Sequence, residues 1–192
     1  AWGATIYVSP PGNDGNSGLT WATAKQTVQA GLNTAEAGDQ VWVAAGTYIE
    51  NITLKAGVAL YGGLAGNEDP GTFNLANRDF QTNPTILDGS QSGSVVKSPQ
   101  GATSTTRIDG FTIRNGKAKY GGGINCSNSS PTIANNTITE NSASTFGGGI
   151  YCTNSSPTIA GNAIANNNST SRGGGIYCYQ SSPTITGNTM TG

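Results

Sequence analysis

The sequence predicts an all-β solenoid, a chain of short strands coiled and stacked in parallel, and three observations predict it. Glycine triplets begin at Gly121, Gly147 and Gly173, each 26 residues after the last. The same offset carries Ile124 to Ile150 to Ile176, Cys126 to Cys152 to Cys178, and Asn136 to Asn162 to Asn188, with no insertion between. Within each unit the apolar runs are short and alternating, and Gly, Asn, Ser and Pro interrupt them too often for a long helix. A fixed period of this size marks stacked units, each unable to bury its apolar face alone.

Each unit reads as three strand pieces. In the second they are Gly149 to Cys152, Pro157 to Ala160 and Ala163 to Ala165. Side chains alternate along a strand, so Ile150 and Cys152 share one face and Tyr151 takes the other. Ile159 and Ile164 are separated by an odd number of residues, so a corner must lie between them, at Gly161-Asn162. Parallel stacking at about 4.8 Å then turns equivalent residues into ladders. The inward ladders are Ile124/Ile150/Ile176, Cys126/Cys152/Cys178, Ile133/Ile159/Ile185 and Ile138/Ile164/Met190. Asn136, Asn162 and Asn188 stack at a corner, where side-chain amides bond from coil to coil.

Residues 1–40 read as an N-terminal strand and helix cap, and residues 41–192 as coils. Thr5 to Val8 is a strand, and Asn13 to Gly18 is a polar turn. Ala24 to Ala37 reads as an amphipathic helix with Val28, Leu32 and Ala35 on one face and Gly38 as its C-cap. Its apolar face would cover the open edge of the first coil. Val41 opens the coils, Gly46 to Tyr48 is a turn, and Leu64 to Asn83 breaks the pattern as an excursion over one wall. Pro84 to Gly89 is read as the same strand as Pro131 to Asn136, which puts Asp88 and Asp109 on one ladder, each in an Asp-Gly corner where Asp caps its own turn. The repeat reaches Gly192 with no capping segment, so an open last coil, a longer parent chain and edge-to-edge association there are expected.

On these residues the chain resembles the right-handed parallel β-helix of the pectate-lyase-like superfamily. Coils there have three strands, and an Asn ladder lies between the second and third. The GGGI repeats are similar to those of bacterial polymorphic outer-membrane proteins. The run from Gly38 to Gly63 resembles the opening coils of secreted bacterial β-helix proteins. The resemblance implies a secreted or cell-surface location. It also implies that a site, where present, lies on the outer face of the first strand and on the turn before it.

Composition excludes several classes. Charged residues are 10% of the chain and the net charge is −1, which gives no basic field for nucleic acid. No apolar run is long enough to insert in a membrane as a helix. There is no His, which removes His-based triads and His-ligated metal. Three Cys on one inward ladder read as buried thiols, since in-register parallel side chains make poor disulfide geometry. The Asp/Asn loop at Asn13 to Gly18 could hold calcium but lacks the downstream bidentate Glu of an EF-hand, so no cofactor is expected.

Along the first strand and the turn before it, Tyr120, Phe146, Tyr151, Tyr177 and Tyr179 gather on one wall, with Arg172 beside them. Sugar rings pack their C–H faces on aromatics, so this wall is the candidate polysaccharide contact, weighed against plain strand packing of tyrosine. Lys117, Lys119, Glu140 and Arg172 supply a single acid, too few for a calcium cluster or a carboxylate pair. The expected function is a non-catalytic, adhesin-like surface module. The alternative is the N-terminal part of a polysaccharide lyase or hydrolase whose active site lies beyond Gly192.

Overall fold

The structure is a computed structural model and describes residues 3–192; the start of the expected N-terminal segment, Ala1 and Trp2, lies outside them. The chain enters through β1 (Thr5–Val8) and the helix α1 (Val28–Thr34), then coils. The first turns are β2 (Gln40–Ala44), β3 (Gly46–Ile49) and β4 (Ile52–Thr53), then β5 (Ala59–Leu64), β6 (Thr85–Asp88) and β7 (Val96–Lys97). The next are β8 (Arg107–Asp109), β9 (Thr112–Arg114), β10 (Lys117–Tyr120) and β11 (Ile124–Ser127). They are followed by β12 (Thr132–Ala134), β13 (Thr137–Thr139), β14 (Ser142–Phe146) and β15 (Ile150–Thr153). The last are β16 (Thr158–Ala160), β17 (Ala163–Ala165), β18 (Asn168–Ser169), β19 (Ile176–Tyr179), β20 (Thr184–Thr186) and β21 (Thr189–Thr191).

Successive strands of one coil join different sheets, and each sheet runs along the solenoid. Sheet I is β1-β2-β5-β8-β12-β16-β20, sheet II is β3-β6-β9-β13-β17-β21, and sheet III is β4-β7-β11-β15-β19. Every neighbouring pair is parallel, and the repeats pair in register, Ile124 on Ile150 on Ile176 and Ile133 on Ile159 on Ile185. This is the parallel β-helix that the 26-residue period predicts. It departs from three strands per coil in one respect. A fourth sheet, β10-β14-β18, forms where variable turns were expected, because those segments also pair backbone to backbone.

The core is a column of aliphatic ladders. Val41, Leu60, Ile108, Ile133 and Ile159 come from sheet I, Leu87, Ile113, Ile138 and Ile164 from sheet II, and Ile52, Val96, Ile124 and Ile150 from sheet III. All are buried. Each such side chain contributes roughly 1.5–3 kcal/mol by leaving water. In the last coil Ile185 and Met190 are 42% and 56% exposed, so the ladders continue there without cover.

The glycine triplets are a packing requirement. Gly121, Gly122 and Gly123 donate to the carbonyls of Phe146, Gly147 and Gly148, so three consecutive residues lie backbone on backbone between coils. A methyl added at Gly148 would collide with the carbonyl oxygens of Asn168 and Gly174, the latter at 2.6 Å. Gly161 fills a different need, with φ of +67° at the predicted corner.

The predicted Asn ladder is present. Asn162 Oδ1 accepts from the Asn136 backbone N–H at 2.9 Å and from Asn136 Nδ2 at 3.1 Å, and Asn188 Oδ1 accepts from the Asn162 N–H at 2.9 Å. A second ladder escaped the sequence reading. Asn141 Oδ1 accepts from the Gly116 N–H and Asn167 Oδ1 from the Asn141 N–H, at the corner between sheet II and the fourth sheet. The 26-residue step from Asn141 to Asn167 was the available signal; the surrounding Asn166 and Asn168 hid it.

Three expectations are corrected. The helix does not start at Ala24. Lys25 donates its N–H to Tyr7, and Gln26 and Thr27 donate theirs to Asp14, so α1 begins at Val28 under a Thr27 cap and closes at Ala35 rather than Gly38. Its predicted face of Val28, Leu32 and Ala35 is buried. Gly46 to Ile49, expected to include a turn, is a strand of sheet II. Thr85 to Asp88 also lies in sheet II, with Leu87 opposite Ile113, and not with Pro131 to Asn136 in sheet I. Asp88 and Asp109 therefore stand on different walls. The 64–83 excursion lies inside a single coil, between its sheet I and sheet II strands, and broke the spacing on which that alignment relied.

Candidate functional site

The wall aromatics come from two sheets. Tyr120 and Phe146 end β10 and β14, while Tyr151 and Tyr177 project from β15 and β19. Parallel register puts Tyr120 opposite Phe146 and Tyr151 opposite Tyr177. The rings form one stack. Tyr120 lies 6.0 Å from Phe146 and 5.0 Å from Tyr151, and Phe146 lies 4.5 Å from Tyr177, which is 5.9 Å from Tyr151. Interplanar angles run from 1° to 24°. The rings thus face each other, and all four are half-buried. Lys119 Nζ sits 5.2 Å from the centre of the Tyr120 ring.

Two candidates stand apart from the stack. Arg172 continues the Tyr120/Phe146 line through its backbone, bridging to Phe146, and its side chain is exposed without an ion pair among the described residues. Tyr179 pairs with Thr153, two residues beyond the stacked Tyr177, and is 53% exposed.

Eight of the acids are held by the chain's own donors. Asp14 accepts from the Gln26 and Thr27 amides and from the Thr27 hydroxyl, so both carboxylate oxygens of the calcium candidate serve the start of α1. Glu50 accepts from the Val28 and Gln29 amides at the same helix end. Asp39, Glu68, Asp69 and Asp79 each accept from backbone amides close by in turns. Asp88 takes Ser90, Arg114 and Asn115. Asp109 holds both Arg78 and Arg107, and Asn135 donates to it as well. It does not cap its own turn, as its Asp-Gly sequence suggested. Glu36, which pairs with Lys55 at 3.6 Å, and Glu140 on the wall complete the set.

These carboxylates set the pH response. Burial works against the ionised form of Asp14 and of Asp88, but hydrogen bonds outweigh it. Thr27 and Gln26 do so at Asp14, and Ser90, Asn115 and Arg114 at Asp88, so both are held below the ordinary aspartate value of 3.8. A depressed folded-state pKa stabilises above the unfolded value and is lost as pH falls through the folded one. Glu50 has the opposite sign. Burial lifts it above 4.5 despite its two amide donors, so its charge weakens the fold as pH rises through that raised value. With no His in the chain, the melting temperature should stay level around neutrality and drop as pH falls below 3.8. Asp88→Asn should flatten that acid limb in a thermal melt series; an unchanged limb would sink the assignment.

The cysteine ladder sets Cys126 beside Cys152 and Cys152 beside Cys178. All three thiols are free, with Cys126 and Cys152 buried. Hydrogen bonding to Cys126, together with burial, pushes the Cys152 thiol up, and bonding to Cys152 does the same for Cys178. Thiols so raised stay protonated at neutral pH.

No curated protein and no solved structure matches the chain. The model of one family, described as a protein of unknown function (DUF1565), matches residues 11–150, which is most of the chain.

Proposed function

We propose that this chain, which belongs to the DUF1565 family of proteins of unknown function, is a non-catalytic, adhesin-like module of a secreted or cell-surface protein that touches polysaccharide along its aromatic ridge. The finer kinship with the pectate-lyase-like superfamily belongs to the same proposal; the Asn ladder between sheets I and II supports it.

One observation carries the non-catalytic reading. Eight of the ten acids already serve as turn, cap or ion-pair acceptors, so the charges that general acid–base chemistry would use hold the fold together. The polymer reading rests on the ridge. Stacked rings cannot each offer a face to a sugar, so contact would run through ring edges, phenolic hydroxyls and the neighbouring Lys119 and Arg172. Repeats spaced about 4.8 Å along the axis suit an extended chain.

Retention on gel-embedded and insoluble polysaccharides, neutral and acidic, tests both halves. Binding to one polymer should fall roughly tenfold in Tyr151→Ala with Tyr177→Ala, the loss of about 1.4 kcal/mol. Full retention by that double variant would leave the tyrosines as strand packing. Release of new reducing ends or unsaturated sugars by the wild-type chain would overturn the non-catalytic reading.

A further inference from the structure

A groove unrelated to the ridge lies on the outer face of sheet I, where the 64–83 excursion folds back over β2 and β5. The outward column of that sheet is Tyr7, Trp42 and Tyr61, paired in register. Trp21, Phe73 and Leu75 pack against the cluster that Tyr7 and Trp42 form with Leu64. Between sheet and excursion a cavity of about 580 Å³ remains, lined among others by Thr5, Gln40, Trp42, Tyr61, Phe73 and Asn74. That volume is in the range of small-molecule sites. A second concavity of about 360 Å³ continues from it past the shared Gln40 and Tyr61.

Gln40 is the observation that points to a ligand. It is only 9% exposed. Its Oε1 accepts from Trp42 Nε1 at 2.8 Å, and since an indole N–H can only donate, the amide orientation is fixed. The Nε2 group has no partner among the described residues, so two N–H donors open into a cavity the residue itself lines. These donors are not sealed from solvent, so an acceptor on a ligand would take the place of water there. The rings around it differ from those of the ridge. Trp42, only 3% exposed, meets Tyr7 and Phe73 edge-on, at 74° and 68°, while Tyr61 and Phe73 stay half-buried on the groove wall. Charge selects against anions. Asp69 and Glu68, on the excursion, lie near enough to Tyr7 to raise its pKa after burial has done so, and Arg78 is taken up by Asp109.

We propose that this groove binds a neutral saccharide, with hydroxyls accepting from Gln40 Nε2 and C–H faces packed on Tyr61 and Phe73. The inference does not depend on the ridge reading. It is tested by titrating the ¹⁵N-labelled chain with short neutral oligosaccharides and with their uronic-acid counterparts. The Gln40 side-chain amide and the Trp42 indole resonances should shift saturably with a neutral sugar. Gln40→Glu keeps the acceptor for Trp42 and removes both donors, and should weaken binding about tenfold. Phe73→Leu, on the excursion, should weaken it without touching the Gln40–Trp42 bond. Shifts confined to Tyr120, Tyr151 and Tyr177 would overturn the groove and leave the ridge standing. Preference for the acidic sugars, no shift at Gln40, or full-strength binding by both variants would overturn it as well.

Discussion

Asp109→Ala should cost the fold about 3–5 kcal/mol, read as a lower midpoint in denaturant unfolding. The side chains of Asp109 and Arg78 are 1% and 6% exposed, and their ion pair is 2.7 Å long. Arg78 also donates to the carbonyls of Leu75 and Gly62, and its guanidinium lies 5.1 Å and 5.2 Å from the rings of Tyr61 and Phe80. Removing the carboxylate would leave that guanidinium buried without its counter-charge. Arg107, whose side chain is 32% exposed, can turn to water, so Arg78 sets the size of the loss. Asp109→Asn, which keeps an acceptor and the shape, should cost roughly half as much. The pair as a whole is a weaker stabiliser than its breakage suggests, because both ions gave up hydration to enter. Its specific effect is placement, fixing the excursion over sheet I and so shaping the groove at Gln40. Protease should therefore nick the 64–83 segment faster in Asp109→Ala. A loss below about 1 kcal/mol with unchanged cleavage would show that the aromatic cluster alone holds the segment.

What was legible from sequence follows from what is local and what repeats. The 26-residue offset identifies the inward ladders and the Gly161-Asn162 corner because identical coils must pair in register, and one unit then specifies the next. The ridge rings were placed on one wall for the same reason. Their mutual stacking was not foreseen, since Tyr120 stands on the fourth sheet, which the three-strand reading left as a turn, while Tyr151 stands on sheet III. Where the repeat is imperfect, spacing misleads. The inserted excursion moved Thr85 to Asp88 onto the wrong sheet, and Asp109 was read as a turn residue because its partner Arg78 lies 31 residues back. The helix start was misplaced because Asp14, far upstream, takes the amides of Gln26 and Thr27. The Gln40–Trp42 bond is local to β2, but the groove that the amide faces exists only once the excursion lies over β2 and β5.

Asn162→Ala should cost about 3 kcal/mol, nearly as much as the ion pair, although it removes no charge and little volume. Asn162 is 1% exposed, and five bonds converge on its amide. Oδ1 accepts from the backbone N–H and Nδ2 of Asn136, while Nδ2 donates to Ile133 O at 3.0 Å, Ala160 O at 3.2 Å and Asn188 Oδ1 at 2.9 Å. Alanine would orphan the buried backbone N–H of Asn136 on one side and strip a donor from Ile133 O and Ala160 O on the other, although Ala160 O keeps the Asn135 N–H. Asn188→Ala, at a half-buried position, should cost clearly less, because solvent can reach the groups it leaves. Asn162→Asp separates donor from acceptor. It keeps an oxygen for Asn136 but turns a second one toward Ile133 O and Ala160 O, so it should be at least as damaging as alanine at neutral pH. Burial would raise the pKa of that new carboxyl, so acidification should partly rescue the variant while the wild type weakens. Equal midpoints for Asn162→Ala and Asn188→Ala would mean that the corner is held by its backbone bonds alone, and that the ladder is a by-product of repetition rather than a clamp between coils.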